Sequence, residues 1–416
     1  MTSVTPTQVD IAIVGGGMVG ASLALALAGT SRSVLLVEAH VPDAHDQPSF
    51  DERTTALGNG SRRVFETLGV WPELATQAVA VREIRVSDAG RAGAARLSAA
   101  EQALDALGYV VPNRVLGRAL WRQLAAHPSI AIRMPARVRE LAFAADAARF
   151  MIDPAGAGDG AGGASAREAV EARVVVAADG AQSLVRAAAG IGAEIEDYDQ
   201  VAVVVHVATD LPSSGIAYER FTKTGPLAVL PLTDGRYTVV WTLAPDRALQ
   251  VCALDDASFA AMLQQDFGWR IGRIARIGAR ASYPLRLSRA ERMTGPRAVL
   301  AGNAAQSLHP VAGQGFNLGL RDAALLAELL AAAPDPGAPS VLEDYERRRA
   351  ADRRGMIGFT DGLVRLFGSE RPGFALARNL GLTMFDVMPS AKRALSRLSW
   401  GFGREAPRLL RGLPVE

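Results

Sequence analysis

Cysteine is nearly missing from this chain. Cys252 is its one thiol, which excludes an internal disulfide and a metal site built from cysteines. Lysine is almost as scarce, with only Lys223 and Lys392, so arginine carries nearly all the positive charge. The net charge is only +2 over 416 residues, so no general field draws a nucleic acid. No stretch is long and apolar enough to span a bilayer. The opening MTSVTPTQVD is polar, and the apolar run behind it is broken by glycines, so nothing there resembles a secretory signal. The expectation is a cytoplasmic protein, at most peripheral on the inner face of a membrane. Apolar residues, in contrast, make up 49%, enough for a large core. The length exceeds a usual single domain and predicts two domains or one domain with large insertions.

The densest chemistry lies between Val299 and Asp322, in VLAGNAAQSLHPVAGQGFNLGLRD. A short apolar strand ends at Gly302, where the backbone can approach a ligand, and Asn303 offers donors and acceptors there. The loop behind it holds His309, Pro310, Gly313, Gln314 and Gly315. A helical pattern begins near Phe316, so the glycines expose N–H groups at a helix start, a place for negative charge.

Far upstream, VDIAIVGGGMVGASLALALAG reads as strand, turn and helix. Gly15, Gly17 and Gly20 give the GxGxxG spacing directly after the strand. Glu38 ends the next strand, where a ribose hydroxyl needs an acceptor. A carboxylate there disfavours a 2′-phosphate and suits FAD or NAD. Residues 51–68 read as a loop that becomes a helix, ended by Trp71-Pro72. Arg53 in that loop would neutralise a pyrophosphate or else is one solvated arginine of many. In EARVVVAADGAQSLVRAAAG, a fully apolar strand ends at Asp179 and Gly180, the edge at which parallel sheets bind ligands. Residues 154–165 are of low complexity and read as an exposed loop or insertion. From 200 to 284 the pattern turns to strands, an antiparallel sheet inserted into the α/β domain and forming one wall of a pocket.

Three motifs thus agree in order and spacing: GGGMVG with Glu38, VVVAADGAQSLVR, and AGNAAQSLHPVAGQGFNLGLRD. Together they resemble the flavin-dependent aromatic hydroxylases of the p-hydroxybenzoate hydroxylase fold, and more closely the ubiquinone-biosynthesis hydroxylases. DERTTALGNGSRRVFETLGVW, YERFTKTGPLAVLPL and GLTMFDVMPSAKRAL extend the resemblance over nearly the whole chain. Asn303 and Leu308-His309-Pro310 resemble most the members that act on 2-octaprenyl-6-methoxyphenol. Asn303 stands where relatives usually have an Asp, and Asn113 where many have an Arg near the pyrophosphate.

The resemblance implies an α/β fold: a Rossmann-like FAD-binding domain with an inserted antiparallel β-sheet substrate domain and a C-terminal helical region. The implied divisions are 1–78, 110–190 and 285–345 for FAD, 79–109 and 191–284 for substrate, and 346–416 for the C-terminal region. It implies reduction of FAD by a transient NAD(P)H, then reaction with O2 through a flavin hydroperoxide that hydroxylates a polyprenylated phenol. Gly15, Gly17 and Gly20 would then admit the pyrophosphate, Glu38 bind the adenosine ribose, and Arg53 lie over the pyrophosphate. Asp179 and Gly180 would border the phosphate and ribityl region, and Gly302 and Asn303 hold the ribityl end. Gly313, Gln314, Gly315 and Asn317 would meet the flavin ring, with Pro310 close to the reacting ring. His309 is a candidate for the phenolic proton or a structural histidine. Tyr218 and Arg220 are pocket residues on the inserted sheet or surface strand residues.

Two other readings stay open: the same chemistry on a small soluble aromatic acid, and a non-catalytic flavin-carrying subunit of a quinone-biosynthesis complex. An acid predicts a buried arginine facing the flavin, whereas a polyprenyl chain predicts an apolar channel. The basic C-terminal region, with Trp400 and several leucines interleaved, reads as a peripheral membrane contact, as packing against the flavin domain, or as a surface for self-association.

Overall fold

A computed structural model describes residues 5–42, 53–91, 93–154, 167–368, 372–402 and 406–415. Most of the low-complexity loop, 155–166, lies outside the described residues, as do 51 and 52.

The first sheet is built on Thr7–Val14, whose core residues Ile11, Ala12 and Ile13 are fully buried. Each such aliphatic side chain contributes about 1.5–3 kcal/mol by leaving water. Five strands run parallel, in the order Ala298–Leu300, Glu168–Ala177, Thr7–Val14, Val34–Val37 and Ile130–Arg133. The chain leaves Thr7–Val14 toward one edge and returns on its other side, so the order reverses beside the first strand. Such a reversal opens a crevice at the carboxyl ends. The helices Met18–Leu27 and Gly315–Ala332 pack on this sheet.

The second sheet has eight strands and holds the long antiparallel pair Ala193–Thr209 and Ile274–Ala290. Register shifts between Asp197 and Gln200 and between Val205 and Val207 kink this pair, and bulges of this kind bend a sheet. Arg236–Leu243, Gly225–Pro231, Ile216–Thr222, Glu83–Asp88 and Ala94–Ser98 continue it. Pro245–Cys252 and Asp256–Phe267 cover its outer face.

Four local expectations change. Residues 54–58 form a strand, Thr54–Gly58, paired with Gly108–Pro112 in a separate three-stranded sheet. Its alternation buries Thr55 and Leu57, which outweighs the turn-like composition. The helix Asn59–Thr67 ends before Gly69, whose φ is +70°, and Trp71-Pro72 opens the short helix Trp71–Leu74 rather than closing the previous one. Proline fits there because its missing N–H is not needed in a first turn. Of residues 79–109, Glu83–Asp88 and Ala94–Ser98 join the second sheet, whereas Val79–Val81 joins the three-stranded one. The expected boundary at 345/346 falls inside one helix, Pro339–Gly368.

The C-terminal region folds back over the second sheet as Pro372–Val387 and Pro389–Trp400. Asn379 Oδ1 accepts from the N–H of Gly93 at 2.6 Å, and Asp386 Oδ1 from that of Arg96 at 2.7 Å. Trp400 Nε1 donates to the Leu107 carbonyl at 3.0 Å. Arg321, on the Gly315–Ala332 helix, donates to the carbonyls of Leu398 and Ser399. Much of the basic tail is thus committed: buried Lys392 faces Asp386 and Glu101, and buried Arg378 faces Asp88.

Candidate active site

Four neighbouring parallel strands end on one edge, and each ends in a residue singled out by its motif. Val34–Val37 delivers Glu38, Thr7–Val14 delivers Gly15, Glu168–Ala177 leads to Asp179, and Ala298–Leu300 leads to Gly302. Gly15 has φ +102°, and a Cβ on it would stand 2.4 Å from the Ala178 carbonyl oxygen. A Cβ on Gly20 would stand 1.9 Å from the Gly15 oxygen, so glycine there lets helix and turn touch. Glu38 is buried and accepts from the N–H groups of Gly16 and His40, which aims its carboxylate at the loop. Asp179 receives the Val185 N–H on Oδ2, while its Oδ1 is buried without a partner. Burial raises its pKa against those hydrogen bonds.

The loop from Gly302 to Asn317 closes the same crevice. Gly302 has φ +59° and donates its N–H to Asp322 Oδ2 at 3.0 Å. Asp322 also meets Arg349 Nε at 2.7 Å and Gln306 Nε2 at 2.8 Å, so the turn is anchored on a buried, paired charge. Asn303 is exposed to the cavity. Gly313 has φ +60°, while a Cβ on Gly180 or Gly315 would meet open space. Gln314 donates to the Ala312 carbonyl at 3.0 Å and leaves Oε1 buried and unpartnered.

Asn317 departs from expectation. It does not line the cavity: its Oδ1 accepts from Gly58 N–H at 2.9 Å and Ser61 Oγ at 2.6 Å, and its Nδ2 donates to the carbonyls of Ala56 and Gly313 at 2.8 and 2.9 Å. All four of its polar positions are spent on protein, so it positions the loop instead of touching a ring. Of the two readings of His309, the geometry favours the structural one. It is 1% exposed and absent from the cavity wall, with its ring edge-to-face against Tyr198. Its Nδ1 accepts from the Val311 N–H at 3.1 Å, so the proton of the neutral ring sits on Nε2. Burial lowers its pKa to about 4. Its neighbours Leu308, Pro310 and Val311 do reach the cavity.

One cavity of about 1310 Å³ runs from the glycine turn of the first sheet to the inner face of the second. It exceeds the roughly 300–1,000 Å³ of a single small-molecule site and has room for two occupants end to end. Its nucleotide end includes Gly15, Gly17, Glu38, Asp179 and Gly180. Arg53 also lines it, with its guanidinium 4.6 Å from the centre of the Tyr283 ring. Asn113 lies nearby, bonded to Thr55 Oγ1 at 2.7 Å. At the far end the wall is apolar: Val86, Ala228, Leu230, Val240 and Val204 from the sheet, Phe359 and Leu363 from the Pro339–Gly368 helix, and Leu382, Phe385 and Trp400 from the C-terminal roof.

Tyr218 and Arg220 share the other face of their strand, and of the two only Tyr218 also borders the large cavity. Successive residues alternate, and the Tyr218 ring packs on Phe267 while Arg220 Nε donates to the Asp266 carbonyl at 2.8 Å. Arg220 lines a separate hollow of about 180 Å³. The residue between them, Glu219, reaches the large cavity. The pattern IAYERFT carried that signal, because alternation groups Ala217, Glu219 and Phe221 on one face. Glu219 makes no hydrogen bond or ion pair among the described residues, and its Oε1 is buried without a partner. Burial alone raises its pKa to about 8.

These residues fit FAD. The glycine turn exposes backbone N–H groups for a pyrophosphate, and Glu38 stands where a ribose would lie. Asp179 and Gln314 hold orphaned oxygens toward the cavity, and open space faces Gly180 and Gly315. The comparisons agree. The FAD binding domain family matches residues 8–360. The ubiquinone hydroxylase UbiL of Rhodospirillum rubrum is 39% identical, over 98% of this chain and 93% of its own. The 3-demethoxyubiquinol 3-hydroxylase of Escherichia coli is 34% identical, over 95% of this chain and all of its own. Among solved structures, the p-nitrophenol 4-monooxygenase PnpA of Pseudomonas putida superposes with a TM-score of 0.77 at 20% identity, covering 96% of this chain and all of that one, a likeness of fold. The chain belongs to the FAD-dependent hydroxylases of ubiquinone biosynthesis.

Proposed function

We propose that this enzyme hydroxylates the ring of a polyprenylated phenol, with NAD(P)H as transient reductant and O2 as the source of the new oxygen. The observation that carries the reading is the apolar far end of the cavity, continuous with the flavin crevice. FAD, when bound, supplies the activation of oxygen. The chain's own residues hold it, orient the ring and keep water out. The N–H groups at the start of the Gly315–Ala332 helix favour negative charge on a reduced flavin. The sheet and the roof desolvate the phenol between Val240, Val204, Leu363 and Phe385. A small aromatic acid suits this end poorly, because the ionisable side chain among these apolar walls is the acid Glu219. A strain lacking the gene should accumulate a polyprenyl phenol missing one ring oxygen, and the purified enzyme should convert that compound. Normal quinone content in that strain would overturn the reading.

The C-terminal roof is the proposed contact with the lipid that carries such a substrate. Leu382 and Phe385 line the cavity on the inner side of the Pro372–Val387 helix. On its outer side Leu380, Met384 and Val387, followed by Met388, stand exposed at helical spacing. Exposed Arg393 and Arg397 on the next helix would meet anionic head groups. No helix among the described residues is long and apolar enough to cross a membrane.

A further inference from the structure

We propose that Glu219 is a catalytic residue: its carboxylate takes the proton of the substrate's phenolic hydroxyl. The inference rests on the phenol reading above and adds the group that activates the ring.

The strand registers fix the surroundings of Glu219. It lies opposite Val86 on one side and Ala228 on the other; Ala228 pairs with Val240, and Val240 with Val204. One row of the cavity floor therefore reads Val86, Glu219, Ala228, Val240, Val204, a lone carboxyl among small aliphatic groups. Above it, the Pro339–Gly368 helix contributes Leu363 and Phe359, and the roof Leu382 and Phe385, all uncharged. The ionisable groups elsewhere on the cavity wall, among them Tyr218, Arg286, Tyr283, Arg53, Asp179 and Glu38, do not shift its titration. A structural glutamate at such a place would be paired, since a buried carboxyl without partners is costly. This one has an orphaned oxygen and faces space that a ligand fills. Thr238, fully buried with an unpartnered hydroxyl, lines the same cavity.

The step balances simply. The phenolic O–H bond breaks, its electron pair stays on the phenol oxygen, and the proton passes to a Glu219 oxygen. Carboxylate and phenol become carboxylic acid and phenolate. The phenolate ring is richer in electrons at the carbons beside and opposite the oxygen, which is where an electrophilic oxygen attacks. An acid whose pKa lies near 8 is closer to the phenol's own value of about 10 than an ordinary glutamate, and proton transfer between matched groups is fast.

The test uses holoenzyme and a short-chain 2-prenylphenol as probe, comparing wild type with Glu219→Gln. The variant should hold FAD and be reduced by NAD(P)H as wild type is. Its hydroxylation should fall by about 100-fold or more, with NAD(P)H consumption diverted to hydrogen peroxide. In wild type, kcat/KM should rise with pH through about 8; the glutamine variant should lose that limb and rise only toward the phenol's own pKa. The ultraviolet titration of the bound probe gives a readout free of turnover: the Glu219 carboxylate holds the neighbouring phenol protonated to higher pH, so phenolate should appear at lower pH in the variant than in wild type. Unchanged coupling and pH profile in the variant, or an unchanged bound spectrum, overturns the role of Glu219. A wild-type enzyme whose bound probe shows that titration difference from the variant yet is never hydroxylated overturns the substrate reading instead.

Discussion

Replacing Asn317 by alanine removes four hydrogen bonds at once, and their partners stay where they are. Gly58 N–H, Ser61 Oγ and the carbonyls of Ala56 and Gly313 come from segments held by their own strands and helices, so the gap does not collapse. Each bond contributes about 1 kcal/mol net, and an orphaned buried group costs at least that much. The loss is therefore about 4 kcal/mol. Unfolding entropy is about 2.1 cal/mol/K per residue, or roughly 0.9 kcal/mol/K for 416 residues, so Tm of the apoprotein should fall by about 4 °C. The flavin feels it too, because Gly313 is tethered by Asn317 and must be ordered again when FAD binds. Fixing one residue costs about 1–2 kcal/mol, so FAD should bind roughly tenfold more weakly. Asn317→Asp gives a control: it keeps both acceptor bonds but sets an oxygen against the Ala56 and Gly313 carbonyls, so it should do no better than alanine. Scanning calorimetry of the apoprotein and fluorescence titration with FAD read both effects. An alanine variant with unchanged Tm and unchanged FAD affinity would refute the assignment of Asn317 to loop positioning.

Gly15→Val should yield colourless protein, because a Cβ there meets the Ala178 carbonyl at 2.4 Å; flavin released on denaturation is the measure, and full flavin content would contradict the crevice assignment. His309→Ala should keep FAD and lose little hydroxylation rate, since the ring lies behind the cavity wall; a loss of about 100-fold in single-turnover rate would return it to the chemistry. His309 should also tie stability to pH. Its folded pKa of about 4 lies below the unfolded value of about 6.5, so the unfolded chain takes the proton first. Its contribution is then whole above pH 6.5 and lost as pH falls toward 4, about 3 kcal/mol in all. The Tm of His309→Ala should therefore fall less steeply over that window. Asp substitutions at Leu380, Met384 and Val387 should reduce sedimentation with anionic vesicles while FAD content stays constant; equal sedimentation would remove this helix as the membrane contact.

Motifs whose constraints are local were legible in the sequence. The glycines at 15, 17 and 20 answer to a strand, a turn and a helix adjacent in the chain, and Glu38 follows one strand later. Those elements carry their own requirements for φ and for close approach. Positions whose meaning depends on distant partners were not. Asn317 stands among flavin-loop residues, and nothing nearby says that Gly58 and Ser61 claim its oxygen. His309 is the ionisable group of its loop, but its burial against Tyr198 depends on a strand more than a hundred residues upstream. Tyr218 and Arg220 carry the conspicuous chemistry of IAYERFT, yet the helices packed behind the strand engage Arg220 and the Tyr218 ring, which leaves Glu219 facing in. The tail read as equally suited to lipid and to packing because its neighbour, Ala94–Ser98, lies nearly three hundred residues upstream.

The placement of the roof sets an order of events during synthesis. Both sheets and the glycine-rich turns lie in the first 310 or so residues and can take shape as the ribosome continues. Residues 339–400 come later, and their helices close the trough from above. Until then the crevice lies open along its length, and a long dinucleotide can settle into it sideways rather than be threaded through a narrow mouth. Once Arg321 has clasped the carbonyls of Leu398 and Ser399, the lid is latched to the helix that starts at the flavin loop. The helices made last are thus the ones that cover the apolar end of the cavity.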